Sequence, residues 1–527
     1  MSAAERFRAI TSPVRPEGRQ VLFGRAIVLG GSVAGLMAAR VLSDHADEVL
    51  IIERDDLAAL DVSDEEIARD PAALRPRPGV PQGSQVHALL PSGQIQLERW
   101  FPGFVDAALA AGAVSPPPDT QRFYIDGELR PDPPSGPGMN GIISSRPFLE
   151  ALIRNRVLAL PNVRALHGRV EGLTIADGAV TGVRYVPTSA GEALGASRAA
   201  STGEPMGPAT SADETTSAGQ TAGAGQTAGA GQTAGVGAGM VASSGGVFEE
   251  PADFVVDATG RSSRLGDWID GYGYPRPPMQ RMNIKLNYAT AFFRRPADAE
   301  VWATVSITNP RPGTVARIGG FTPVEGDRWT MLVSGYDDDR PSRDPEDYER
   351  RCTKDFPAEF GHIATTAERT SDVVTYHQAD SRRRDYHRLN RFPARLIAAG
   401  DAVASFNPVY GQGMTSAMLH AGCLSEYLRA HPDLSRPALS YFADVRVIVD
   451  AAWQVSTLAD LALPHVDGPY PRGYRLIRWA SGLVYKASMR DRTLNRTVGR
   501  VTSMLAHPTE LSRPGALFRA LAATARS

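Results

Sequence analysis

Gly30, Ser32 and Gly35 stand on a Gly-x-Gly-x-x-Gly frame, with serine in the second place, and Glu53 closes the next apolar run. Residues of those types at that spacing can hold a dinucleotide. The first glycine permits a tight turn, a small second residue lets the backbone approach a pyrophosphate, and the third brings helix against strand. A helix beginning at such a turn offers free N–H groups and a partial positive charge to the phosphates. A carboxylate on the adjacent strand accepts hydrogen bonds from a ribose. Near the other end of the chain, "RLIAAGDAVASFNPVYGQGM" sets Gly400-Asp401 after an apolar run, fixes a turn with Pro408, and opens a helical pattern at Gly411, Gln412, Gly413 and Met414. Asp401 is suited to bond a ribityl hydroxyl or to sit by a pyrophosphate. Glycines in the second turn let backbone lie against a flat ring, with the helix N-terminus toward its electron-rich end.

The elements that must position these groups are legible around them. Ala26–Leu29 reads as a short buried strand, Leu36–Leu42 as an Ala-rich helix, and Val49–Ile52 as a second strand ending at Glu53. A glycine triplet alone is a weak signal. The full strand–turn–helix–strand–Glu unit indicates NAD or FAD, and the rear turn selects FAD. The chain is therefore expected to be α/β plus β: a Rossmann-like FAD-binding domain of the glutathione-reductase-type nucleotide fold, an inserted β-sheet substrate domain and a C-terminal helical region.

The division expected along the chain begins with a flexible tail over 1–23. The FAD-binding domain takes 24–187, 247–280 and 380–430, the substrate-binding sheet takes 281–379, and helices take 431–527. Within the sheet domain, "VARIGGFTPVEGDRWTMLVSGY" reads as two strands joined at Gly326-Asp327. Residues 188–246 are nearly all Ala, Gly, Ser and Thr with a repeated "AGQTAG", a composition too poor in apolar bulk to order itself. Loop closure costs only about 0.6 kcal/mol per doubling of length, so a hairpin tip can carry this insert while its flanks, "AVTGVRYV" (179–186) and "ADFVVDATG" (252–260), pair.

Composition narrows the function classes. The 527 residues are 42% hydrophobic and 22% charged, with a formal net charge of -2, so a broad nucleic-acid-binding face is not expected. The two cysteines, Cys352 and Cys423, have no metal or redox spacing, nor do the ten histidines. Such cysteine usage suits a reducing cytoplasm. The N-terminus lacks a signal-like apolar stretch, and no run of about 18 apolar residues predicts a membrane span. Contact with a membrane surface stays open.

These motifs, with "GVPQGSQVHALL" (79–90), "SRPFLEALIR" (145–154), "VVDATGRSSRL" (255–265) and "SRRRDYHRL" (381–389), resemble the FAD-dependent monooxygenases of the para-hydroxybenzoate hydroxylase and squalene epoxidase type. The chain is most similar there to bacterial polyether epoxidases. The resemblance implies that Arg146 approaches the FAD ribose and pyrophosphate and that Val170 meets the adenine through its backbone. It also puts Asp401 by the ribityl and pyrophosphate region, and Gly411 to Met414 beside the ring. It implies insertion of one oxygen atom from O2, through a flavin hydroperoxide, into an apolar substrate such as a polyketide or terpenoid. No nucleophilic side chain is required, and no catalytic residue is assigned; His87 and Tyr410 are candidates only. Phe292, Phe293, Phe321 and Met331 are expected to line the substrate wall. Thr259 stands where the hydroxylases carry an aspartate, and no second glycine-rich fingerprint follows a strand. Electrons would then come from transiently docked NAD(P)H or from a separate flavin reductase. A dehydrogenase or a non-redox cyclase of the same fold is the alternative. A halogenase is disfavoured, because none of the six tryptophans lies in a Trp-x-Trp-x-Ile-Pro segment.

Overall fold

The computed structural model describes residues 1–87, 89–130, 141–188, 246–296, 299, 303–310 and 314–525. Strand Phe23–Leu29 lies at the centre of a seven-stranded sheet, between Ala46–Glu53 on one side and Phe254–Asp257 on the other, all parallel. Leu396–Ala398 adds to one edge in parallel, and Val163–Ala176 to the other. The central strands are buried on both faces, as their unbroken Val/Ile/Leu runs require. Helices Val33–Leu42 and Gln412–Arg429 pack against each other on this sheet. The latter is buried nearly all round, so its apolar residues do not form a stripe. All the strand ends that matter for binding open on one side, where ligands of such sheets bind.

A hairpin does flank the insert, but not with the expected second strand: Ala179–Pro187 pairs antiparallel with Phe248–Pro251, Tyr185 opposite Phe248, whereas Phe254–Asp257 of the expected partner segment is taken up in parallel by Phe23–Leu29 and Leu396–Ala398. The insert expected to be disordered lies, over 189–245, outside the described residues.

A second seven-stranded sheet has the order Val374–Gln378, Leu286–Arg294, Arg328–Tyr336, Arg317–Val324, Ala303–Thr308, Gln121–Ile125 and Glu128–Leu129. Its central hairpin turns at Gly326 and Asp327, both at positive φ, as the sequence suggests. The last two strands come from the segment assigned by sequence to the nucleotide domain. Their Asp126-Gly127 hairpin is too short to carry its own core, and it completes the edge beside Ala303–Thr308. Two helices, Pro345–Asp355 and Ala358–Thr366, seal the outer face of this sheet.

The first residues depart from the expected flexible tail. Ser2 and Glu5 form a reciprocal capping box on helix Ala3–Ile10. Phe7 and Ile10, one turn apart, are buried, and Arg6 pairs with Asp444. The Ser-x-x-Glu cap with an i, i+3 apolar pair is a helix signal that the polar composition masked. Beyond residue 431, helices Leu439–Asp460, Tyr474–Ser488, Arg492–Thr502 and Pro514–Ala525 follow.

Candidate FAD site

The turn after the central strand leaves no room for side chains at two positions. Gly30 has φ 100°, and a Cβ there would lie 2.6 Å from the Ala258 carbonyl oxygen. At Gly35 a Cβ would sit 1.8 Å from the Gly30 oxygen. Helix and strand touch through that glycine. Ser32 begins helix Val33–Leu42 but caps none of its N–H groups. Those donors are left for an anion. The Ser32 hydroxyl instead accepts from Arg146 Nη2 at 2.8 Å and donates to Glu150 at 3.2 Å. Gly35→Ala is expected to push the helix off the strand, cost about 1–3 kcal/mol, and yield colourless protein. Flavin content and a urea midpoint read this, and a fully yellow variant refutes it.

Glu53 ends its strand buried, with Oε2 accepting from Gly31 N–H at 2.6 Å and Oε1 from Asp55 N–H at 3.1 Å. A carboxylate has lone pairs beyond these two for a ribose. Val170 lies three residues past the Glu53–His167 pair, at a bulge of strand Val163–Ala176.

Around Glu53 is a charged cluster the sequence reading missed. Arg77 donates from Nε to Glu150 and from Nη1 to Asp55, both at 2.6 Å, and lies 3.5 Å from Glu53. Its Nη2 is buried without a partner. Arg146, at the start of helix Arg146–Leu158, reaches one turn onward to Glu150 at 2.9 Å. Burial alone would raise the Glu150 carboxyl, but Arg146 and Arg77 draw it down to about 2. Arg77 is buried while Arg75, in the same Arg-Pro-Arg-Pro run, is exposed. No local pattern separates them; only the fold does.

The rear turn leans on the front one. A Cβ on Gly400, which has φ 61°, would come 2.6 Å from the Ala34 Cβ in the front helix. Gly400 N–H donates to His420 Nδ1 at 2.9 Å, and burial drives this imidazole down to about 3, keeping it a neutral acceptor. Asp401 follows. Burial raises its carboxyl, against a hydrogen bond from Ser405 and the pull of Arg261, Arg146 and Arg384. The front and rear residues thus converge. Asp257, at the end of the neighbouring strand, accepts from the N–H and hydroxyl of Thr259 at 3.0 and 2.6 Å. Thr259 therefore serves to shape that turn.

Gly411, at φ 67°, opens helix Gln412–Arg429. Gln412 is buried with Oε1 unpartnered, and a side chain at Gly413 would enter open space. Met414 points into the core, so only its backbone faces the turn.

Behind this turn stands a second buried polar group. Asp460 Oδ1 accepts from Asn407 Nδ2 at 2.8 Å and from the Tyr410 hydroxyl at 3.1 Å, while Oδ2 has no partner. Asn407 also donates to Tyr336 at 3.3 Å. Burial pushes the Asp460 carboxyl up to about 7, against the hydrogen bonds from Asn407 and Tyr410. His87 is less basic: burial, reinforced by Arg146, lowers it to about 4, and its Nδ1 engages the Gln85 carbonyl at 2.8 Å.

The expected substrate wall needs correction. Phe293, Phe321 and Met331 point to the outer face of the second sheet, into the core sealed by its two helices. Neighbouring residues of a strand face opposite ways, so Phe292 and Phe293 cannot share a wall. The face toward the nucleotide domain instead carries Tyr288, Thr290 and Leu332, with Tyr376 beside Tyr288. Thr290 donates to Gln85 at 2.6 Å, tying this face to the segment that bears His87.

Residues 230–433 match the family model described as FAD binding domain. Protein Rv3254 of Mycobacterium tuberculosis is 28% identical over 468 residues, 85% of this chain and 83% of that protein. A kynurenine 3-monooxygenase of Salinispora arenicola is 32% identical over 123 residues, covering 23% of this chain and 24% of that enzyme. Among solved structures, the flavin-dependent brominase Bmp2 superposes with a TM-score of 0.57 at 15% identity, over 96% of this chain and 99% of that one, a likeness of fold alone. The residues fit the cofactor: glycines without space for a Cβ, helix N–H donors left uncapped, and buried unpartnered groups on Arg77 and Gln412. With the matched domain, the protein is an FAD-dependent flavoprotein oxidoreductase.

Proposed function

We propose that this protein inserts one oxygen atom from O2 into an apolar secondary metabolite, a polyketide or terpenoid, by epoxidising a carbon–carbon double bond. Bound FAD supplies the activation of dioxygen. The chain's own part is placement and exclusion of water. The Gly30–Gly35 turn, with Arg146 and Arg77, holds the phosphate end; Asp401 and the Gly411–Met414 turn hold the ribityl and ring end. The face bearing Tyr288, Thr290 and Leu332 is the substrate wall.

The observation carrying the choice of epoxidation is His87. Hydroxylation of a phenol calls for a base near the ring, and a half-buried imidazole whose surroundings lower it to about 4, with Nδ1 engaged by the Gln85 carbonyl, is a poor one. An alkene needs none. Electrons come from transiently docked NAD(P)H or from a separate flavin reductase.

The test is oxygen uptake by the yellow protein with NADH, NADPH or a flavin reductase, in isotopically heavy O2, with a supplied polyene. A product heavier by one labelled oxygen and bearing an oxirane is expected. Labelled phenol from an aromatic substrate would establish hydroxylation instead. Substrate turnover without label under every reductant would favour the dehydrogenase or cyclase reading.

A further inference from the structure

The C-terminal region carries a charge that the rest of the chain balances out. Residues 470–527 hold eleven Arg and Lys against two acidic residues, in a chain of formal net charge -2. Helix Tyr474–Ser488 turns Val484 and Ala487 inward, into a small core shared with Leu494, Val498 and Ala520. Its other side leaves Leu476 and Trp479, one turn apart, 67% and 61% exposed, with Tyr470 beside them at 55%. Leu476, Trp479 and Leu483 line an open groove of about 1180 Å³ together with Arg475, Arg478 and Lys486. Among the described residues no carboxylate pairs with these three cations; the ion pair described in this region joins Arg519 and Asp491.

Single exposed apolar residues are ordinary, but a Trp and a Leu set on one helix face among cations without a described carboxylate partner are not scattered. That pattern belongs to helices lying in a membrane interface, where apolar side chains enter the headgroup boundary and Lys or Arg meet lipid phosphates. No described helix is long and apolar enough to cross a membrane. An acidic polymer would satisfy the cations and leave Leu476 and Trp479 in water; an anionic bilayer accommodates both.

We propose that this face docks the protein on an anionic phospholipid surface, Leu476 and Trp479 inserting at the headgroup level while Arg475, Arg478 and Lys486 engage the phosphates. This goes beyond the oxygenation reading and does not depend on it.

The test is co-sedimentation of the full chain loaded with FAD, using vesicles of phosphatidylcholine alone or of phosphatidylcholine and phosphatidylglycerol in equal parts. Binding is expected only to the second kind and should fall as salt is raised. Neutralising two cations in R475Q/R478Q should weaken it roughly 25-fold, about fivefold per charge. L476S/W479S should abolish it while the thermal midpoint and flavin content stay at parental values. Absence of phosphatidylglycerol-dependent binding overturns the proposal, as does parental binding by both double variants. A solution dimer dissolved by L476S/W479S would overturn it in favour of self-association, and heparin binding untouched by that variant in favour of an acidic polymer.

Discussion

Arg77→Ala is expected to lower the unfolding free energy by about 3–5 kcal/mol, the cost of leaving buried charges without their partner. Glu150, Asp55 and Glu53 all face this one guanidinium, at 2.6, 2.6 and 3.5 Å. Its removal leaves Arg146 as the remaining cation on Glu150, and the Ser32–Arg146 link at the phosphate turn loses its fixed geometry. The variant should therefore also purify without flavin. Arg77→Lys keeps the charge but not the fork that bridges two carboxylates, so it should fall between the parent and the alanine variant. Arg75→Ala, two residues away and exposed, should change stability by less than about 0.5 kcal/mol. Urea unfolding with and without added FAD reads all three. An Arg77→Ala protein within about 1 kcal/mol of the parent would show that the cluster does not need its centre.

The second large effect is one of pH. Asp460 is held at about 7 in the folded protein, against about 3.9 in an unfolded chain. The folded state thus binds the proton more tightly. Its contribution to stability is complete below the unfolded value and is lost as pH rises through the folded one. Between pH 4 and 8 the parent should lose roughly 4 kcal/mol through this group, at 1.36 kcal/mol for each pK unit. Asp460→Asn stays neutral throughout and should not show that loss. The titratable groups facing Asp460 are the hydroxyls of Tyr410 and Tyr336, with Tyr485 near Tyr410, and burial keeps Tyr336 and Tyr410 protonated over this range. The difference in unfolding free energy between variant and parent should therefore grow with pH; a flat difference would mean that Asp460 is ionised in the fold. The same variant bears on chemistry. Epoxidation of an alkene should survive it, whereas a hydroxylation drawing a proton through Tyr410 should slow and lose its dependence on pH near neutrality.

How much of this could be read without coordinates differs from residue to residue. The tight turn at Gly30 and Gly35 and the strand end at Glu53 were legible because a close strand-to-helix turn imposes local rules, and the missing space at Gly35 is the rule in physical form. A hairpin around the insert was legible because paired strands tolerate a long tip, but its second strand was not: Phe248–Pro251 takes that place while Phe254–Asp257 joins the parallel ladder, a choice of partner that no local pattern fixes. Phe293, Phe321 and Met331 were misassigned for a reason equally physical. Hydrophobicity says that a side chain is inside, while the face it takes depends on strand register. The N-terminal helix was hidden by its composition, although its cap was written in Ser2 and Glu5.

The sequence by itself determined the nucleotide fold and the cofactor class, since each follows from chain-local geometry over a dozen positions. Only the tertiary structure decided that Arg77 rather than Arg75 is buried among carboxylates, and that Asp460 stands behind Tyr410. It likewise decided which side of the second sheet faces the cofactor domain. Those facts depend on which distant segments meet, and on the loss of water that raises or lowers a charge once they do.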